Sequence, residues 1–356
     1  MTPALIDRYV GGYVIGGTLA ALGLLVILFG VIDLVDDLDN VGTGTYTALG
    51  AALYQALLVP GRVVSMLPVA ALIGSVFGLG ILASSNELIA FRAAGVSIAR
   101  IAVAVLKSAL LMVVVALTIG ELVVPGAEQR AETERSAALE RDLAINAQHG
   151  FWIRDGLAFI KVRRILPSSE LQGVDIHEFS PEHKLLRAWH ATTARFTSTG
   201  WILEDVRRSQ LTDSGVIVTH FEEQDWNIVL SPDQLRAVAL KPERLSASGL
   251  VRYLRFLRGN GLNSARYELA LWNKITYPLV TGSLVFLAVV LVLGLLSAVS
   301  VGYRLLIGTL VGVSFHIMQK MSMHTGLVFE VSPVISVLAP ALACTALGLI
   351  LLRRVN

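Results

Sequence analysis

Residues Tyr9 to Ile32 read YVGGYVIGGTLAALGLLVILFGVI, 24 consecutive residues without a charge. A helix rises about 1.5 Å per residue, so this stretch can cross the ~30 Å hydrocarbon core of a bilayer. Two more stretches follow: Val63–Asn86, with Pro68 as an expected kink, and Ile101–Gly120, with Lys107 near one end. Ala48–Val59 is apolar but short and is interrupted by Pro60-Gly61, so it reads as an interfacial or re-entrant piece. A long polar insert comes next. The apolar pattern then returns as Ile275–Tyr303, a weaker Leu305–Gln319, and Val331–Leu352. The reading is six spans, three and three, around the insert.

The composition agrees. Of 356 residues, 54% are hydrophobic and 16% charged, with mean hydropathy +0.67. Soluble domains hold about 45–50% apolar and about 25% charged residues, so a soluble enzyme, a disordered chain and a disulfide scaffold are excluded. The net charge of +2 and the lack of a strongly basic domain argue against nucleic-acid binding. Cys344 is the single cysteine, so no intramolecular disulfide can form. The first apolar stretch is long and lacks a small-residue cleavage site, which predicts a retained helix rather than a removed signal peptide.

Lysine and arginine near the span ends set the expected orientation. One side holds Arg8, Arg92, Arg100, Lys107, Arg304, Arg353 and Arg354; the short loops of the other hold Arg62 and Lys320. That asymmetry puts both termini in the cytoplasm and the insert, roughly 126–265, outside, which in a Gram-negative cell is the periplasm. The expected parts are therefore 1–125, 126–265 and 266–356.

The insert reads as an all-β domain. Phe151–Arg154, Asp155-Gly156 and Leu157–Arg163 form strand, two-residue turn and strand, since Asp-Gly favours a type I′ hairpin. Further strands are expected at Val174–Phe179, Leu186–Arg195, Trp201–Leu211, Val216–Phe221 and Trp226–Leu230. Many short strands with turn signals between them suggest a sandwich or jelly roll. Glu128–Leu143 is an expected polar helix continuing span three. Ser246–Arg258 is another, with Leu250, Tyr253, Leu254 and Leu257 on one face and Arg252, Arg255 and Arg258 on another, a pattern suited to an anionic membrane surface.

No stretch carries enzyme chemistry by itself. There is no Gly-Lys pair and hence no P-loop, and no G-x-S-x-G elbow. His177-Glu178 with His183 has the wrong spacing for a zinc helix. No catalytic or metal-binding residue is assigned. Lys107 reads as a lysine snorkelling to the interface, and His316 and Lys320 lie one turn apart on span five. No Asp or Glu falls in the middle of a span, which weighs against an ion-coupled transporter. Gly74-x-x-x-Gly78 and Gly308-x-x-x-Gly312 mark faces for close helix contact.

Between spans two and three lies Ser84–Gly95, SSNELIAFRAAG. Ser84 and Glu87 have capping-box spacing, and Gly95 can end a short helix in the left-handed conformation. It reads either as a simple connector or as a coupling helix that docks into a cytoplasmic ATPase.

The segments LPVAALIGSVFGLGILASSNELIAFRAAGVSIARI (Leu67–Ile101) and LSASGLVRYLRFLRGNGLNSARYELALWNKITYPL (Leu245–Leu279) resemble the LptF/LptG family of lipopolysaccharide export permeases. IDRYVGGYV near the start, GTGTY at Gly42–Tyr46 and GELVVPGAEQRA at Gly120–Ala131 are more similar to its LptG members. The resemblance runs end to end. It implies an α-helical membrane protein with six transmembrane helices and an inserted periplasmic jelly roll. It also implies an LptF-like partner permease, an LptB-like ATPase dimer that binds ATP-Mg in place of this chain, an LptC-like membrane-anchored partner, and lipopolysaccharide as cargo. Carried over by residue, Glu87, Leu88, Arg92, Ala93 and Gly95 would meet the ATPase.

Spans one and five would line the cargo cavity, with Phe29, Ile32, Leu310, Phe315 and Met318 against acyl chains. Some family members carry lysines at the outer end of span one, where this chain has Asp33, Asp36, Asp37 and Asp39. Phosphate contacts are therefore expected at Arg135 and Lys320, from a basic set that also includes Arg130 and Arg266. The competing readings are an ion-coupled lipid transporter and a non-transporting anchor that presents a β domain.

Overall fold

The computed structural model describes residues 3–139, 151–155, 157–165, 170–181, 184–197, 200–212, 215–226, 242–259, 263–294 and 299–355. The chain divides into two compact units. The first comprises Met1–Asp36, Gln55–Glu128 and Ala265–Asn356, and the second Asp37–Tyr54 and Gln129–Ser264.

All six expected spans are helices long and apolar enough to cross a membrane. They are α1 (Pro3–Leu38), α2 (Ala48–Ser84), α4 (Ile98–Leu122), α7 (Ala265–Leu293), α8 (Val301–Val328) and α9 (Pro333–Val355), with the short α3 (Glu87–Ala93) between α2 and α4. α2 corrects the sequence reading: Ala48–Val59 is no separate piece, and the helix runs through both Pro60 and Pro68. Each proline removes one ladder bond. In lipid, however, a broken helix would strand backbone groups with no water to take them, so continuity wins. Arg62 also donates from Nη1 to the Gln55 carbonyl, 3.5 Å away, in the turn before Pro60.

The first unit's core is centred on α2, where Leu67, Ala70, Ala71, Leu72, Val76, Leu79 and Leu82 are buried against α1, α4 and α7 residues such as Val10, Ala104 and Leu284. α1 and α2 touch backbone to backbone. A Cβ on Gly74 would lie 2.2 Å from the Thr18 nitrogen, and one on Gly78 2.6 Å from the Tyr13 carbonyl oxygen, so only glycine fits. α7 begins at Ala265, ahead of the uncharged stretch expected from Ile275, and its Lys274 meets Glu121 of α4 at 3.0 Å. Lys107 is likewise tied down, 2.8 Å from Asp7.

In the second unit, six strands form one antiparallel sheet in sequential order: β1 (Phe151–Asp155), β2 (Ala158–Ile165), β3 (Leu171–Phe179), β4 (Leu185–Thr197), β5 (Gly200–Thr212) and β6 (Gly215–Trp226). An inserted antiparallel β domain is therefore present, with its described strands in a single meander. Asp155 pairs with Ala158, one residue beyond the expected Asp155-Gly156 turn; Gly156 itself lies outside the described residues. β6 runs on through Trp226, and the rest of the expected Trp226–Leu230 strand lies outside the described residues.

One transverse row, Arg163, Gly173, Thr192, Asp205 and Glu222, is skipped in every pairing from β2 to β6. Gly173 and Asp205 sit there at φ 63 and 53. The skip reverses side-chain parity, so Leu171 and then Val174 and Ile176 of β3, and Trp201, Leu203 and then Val206 of β5, all join one core. Asp205 holds its left-handed conformation with its carboxylate accepting from Thr192 at 2.5 Å.

α5 (Val124–Ala138) follows α4 after a break at Val123, and the expected polar helix beyond 139 lies outside the described residues. α6 (Ala247–Gly259) has the anticipated two faces. Its Leu250, Tyr253, Leu254 and Leu257 are buried by protein rather than offered to lipid, which corrects the membrane-surface reading.

Candidate functional site

α3 is built differently at its two ends. The expected capping box is absent: Ser84 is the last residue of α2 and donates to the Ile81 carbonyl of its own helix at 2.8 Å. Asn86 caps α3 at φ 61 without a side-chain bond, and Ser85 donates to Glu87 at 2.9 Å. The C-terminal end follows the sequence. Gly95 lies at φ 84, its N–H donates to the Arg92 carbonyl and that of Val96 to the Phe91 carbonyl, each at 3.0 Å. This pair of bonds is a Schellman motif.

Leu88 faces inward and packs with Phe91 into the core of the first unit. It is an anchor of α3 and not part of its outer face, contrary to the expectation of an ATPase contact. The outer face carries Arg92 and Ala93, with Gly95 exposed just beyond. Ile89, 63% exposed, also lies there and was not singled out from sequence; an apolar residue pointing outward beside Arg92 was its available signal. Glu87 accepts a 2.7 Å hydrogen bond from Tyr9 of α1.

The spans differ sharply in how well this chain covers them. In the most apolar window, 72% of α2 and 67% of α7 residues are buried, against 11% for α1 and 22% for α8. Phe29 and Ile32 of α1 and Leu310 and Met318 of α8 are exposed, as expected. Phe315 is a correction, being only 4% exposed. It shares a face with Gly308 and Gly312, whose missing side chains bring α8 onto Val76 and Val69 of α2. A residue on that contact face turns into the core. A cavity of about 580 Å³ runs along α8 and α9, with Ile317, Met318, Met321 and Ile335 among its walls.

Two of the four aspartates after span one, Asp33 and Asp37, are paired internally, while Asp36 and Asp39 are exposed. In the first unit, Asp33 lies 2.8 Å from Arg62. In the second unit, Asp37 is buried, lies 2.5 Å from the Arg135 guanidinium and accepts from the Tyr46 hydroxyl. Arg135 also lies over the Tyr54 ring at 4.8 Å. Burial opposes the charge on Arg135, but Tyr54, Asp37 and Tyr46 outweigh it and hold the guanidinium protonated. Burial, with Asp37 beside it, pushes the Tyr46 phenol up to about 12. Thr45 N–H donates to the Ala138 carbonyl at 2.8 Å. These bonds explain why 37–54, which the sequence assigned to the first membrane part, belongs to the same compact unit as the insert.

Arg135 is therefore committed to an internal partner, whereas Arg130, Arg266 and Lys320 are exposed and lack an ion pair among the described residues. Among the described residues no three His, Cys, Asp or Glu side chains converge to hold a metal. His177 stacks on Trp152, with ring centres 6.0 Å apart, and His183 lies outside the described residues.

The family model described as lipopolysaccharide export system permease LptF/LptG matches residues 8–354. The chain is 35% identical over 339 residues to the lipopolysaccharide export system permease protein LptG of Haemophilus influenzae, covering 95% of each chain. It is 35% identical over 353 residues to the protein of the same name from Escherichia coli K12, covering 98% of each.

Proposed function

The chain belongs to the LptF/LptG family of lipopolysaccharide export system permeases, and on that premise we propose that it is a permease subunit through which a partner ATPase drives lipopolysaccharide out of the inner membrane. The observation that carries the reading is the uneven covering of the spans. α1 and α8 leave most of their apolar surface bare while α2 and α7 are packed. Two bare spans on one permease are what a second permease and a multi-tailed lipid need between them.

In this reading both termini lie in the cytoplasm and the β domain in the periplasm. An LptF-like permease closes the cavity, and an LptC-like protein joins from the membrane. ATP-Mg is bound and hydrolysed by an LptB-like ATPase dimer, which α3 meets through Ile89, Arg92 and Ala93 beside Glu87. Acyl chains lie against Phe29, Ile32, Leu310 and Met318, where each CH₂ removed from water contributes about 0.8 kcal/mol. Lys320, with no ion pair among the described residues, is assigned to headgroup phosphate, and Arg135 stays with Asp37.

The test is co-purification and turnover. The chain expressed with its partner permease should bring down the ATPase, and the reconstituted complex should release lipopolysaccharide to a soluble acceptor only with ATP. A complex that forms and hydrolyses ATP without releasing lipopolysaccharide would reject the reading.

A further inference from the structure

α1 has an unusual mechanical setting. Its first turns are fastened on two sides. Asp7 reaches Arg100 at 2.6 Å and Lys107 at 2.8 Å, both on α4. Tyr9 reaches α3, its hydroxyl donating to Glu87 at 2.7 Å and its ring meeting Phe91 edge-on at 6.3 Å between centres. Glu87 and Phe91 are four residues apart and so share one face of α3. A few residues further along, α1 crosses α2 with no side chain between the backbones: a Cβ on Gly17 would lie 2.6 Å from the Gly74 carbonyl oxygen, and the crossing extends back to Gly78 against the Tyr13 carbonyl. Beyond that crossing about 20 residues, roughly 30 Å of helix, carry the exposed Leu24, Ile27, Leu28 and Val31, and this arm has one long-side-chain tether of its own, Asp33 to Arg62 of α2 at 2.8 Å.

We infer that Tyr9 is a positioning residue that transmits displacement of α3 to α1, which turns as a lever on the Gly17–Gly74 crossing. The inference rests on the permease reading and adds to it the contact through which work would enter span one. The two fastenings differ in kind. Arginine and lysine have long, rotamer-rich side chains, so the Asp7 pairs tether α1 without fixing it. The Tyr9 ring has two torsions and is held at two points of α3, so it follows that helix. α3 is a single short helix anchored by Leu88 and Phe91, and a push on its outer face moves Glu87 and Phe91 together. A glycine crossing lets the two helices pivot without prising side chains apart. A small shift of the short arm then becomes a larger one at Leu28 and Val31, on the span least covered by its own chain.

The experiment compares wild type, Tyr9→Phe, Glu87→Ala and the double variant in the reconstituted complex with its partner permease and ATPase. It measures lipopolysaccharide delivered to acceptor per ATP hydrolysed. Tyr9→Phe keeps the ring against Phe91 and loses only the hydroxyl. It should bind the ATPase and hydrolyse ATP at the basal rate, yet deliver at least about threefold less lipopolysaccharide per ATP. In the Glu87→Ala background it should add nothing. A spin-label pair at Leu28 and Leu110 should change separation on trapping with ATP and vanadate in wild type and not in Tyr9→Phe. Wild-type delivery per ATP in Tyr9→Phe, or an undiminished effect on Glu87→Ala, would overturn the lever while leaving the permease reading intact. A wild-type complex that delivers nothing would overturn the permease reading, and the lever with it.

Discussion

The Arg135 guanidinium lies 2.5 Å from an Asp37 carboxylate that is almost wholly withdrawn from solvent, on a segment whose sequence looks like a run of solvated acids. The pair joins residues 98 positions apart and, with Tyr46, ties the turn after span one to the helix that leads into the β domain. Breaking one partner of a buried pair costs about 3–5 kcal/mol. Arg135 is partly exposed, so about 1–3 kcal/mol is expected here. Arg135→Ala should lower the melting temperature of the purified protein, and Asp37→Asn combined with Arg135→Gln should recover much of the loss. Additive losses in the double variant would contradict the pairing.

Tyr46 adds a pH dependence of defined sign. Its ionisation is raised from 10.0 to about 12 by burial and by Asp37, so between those values the folded state holds a proton that the unfolded state releases. Its contribution to stability is complete below pH 10 and is lost as pH rises toward about 12. A melting profile of Tyr46→Phe should therefore fall less steeply than wild type in that window. Parallel profiles would contradict the assignment.

How much of this was legible beforehand depends on the range of the interaction. The spans, α6 and all six described strands follow from local apolar periodicity and turn signals, which a single sequence displays. Gly95 was legible because its left-handed conformation is a local backbone demand. Continuity of α2 was not, because proline punctuation in water is a poor guide where lipid offers the backbone no alternative partner. The Asp37–Arg135 and Tyr9–Glu87 contacts, joining residues 98 and 78 positions apart, were invisible for the ordinary reason that chain separation carries no pairing signal in one sequence. The burial of Phe315 is not legible, because Gly308-x-x-x-Gly312 marks a close helix contact in sequence without saying which helix it meets. The inward direction of Leu88 is not legible, because position within a short helix motif does not fix which way a side chain points.

The two faces of α3 should separate by substitution. Arg92→Ala removes an exposed side chain and should change stability by less than about 0.5 kcal/mol, while reducing recovery of the ATPase on co-purification. Leu88→Ala removes a buried anchor and should cost about 2–5 kcal/mol, seen as a lower melting temperature before any assembly is measured. The reverse pattern would put Leu88 outward and Arg92 inward.

The helix crossing makes a steric prediction. Gly74→Ala places a methyl group against the Thr18 backbone, and overpacking of this kind costs about 1–3 kcal/mol. Gly12→Ala, with open space at its Cβ, serves as the control on the same helix pair. Thermal stability should drop for Gly74→Ala alone; equal effects at both positions would mean that α1 and α2 do not meet there.

The central claim, that α1 and α8 face the cargo, is tested most directly by site-specific photo-crosslinking in cells. A photoreactive residue at Ile32 or Leu310 is compared with one at Leu342, which is at least as exposed in the isolated chain but lies on α9. The account predicts that lipopolysaccharide is captured at Ile32 and Leu310 and that Leu342 captures bulk phospholipid. Equal capture of lipopolysaccharide at all three positions, or capture at Leu342 alone, would contradict it.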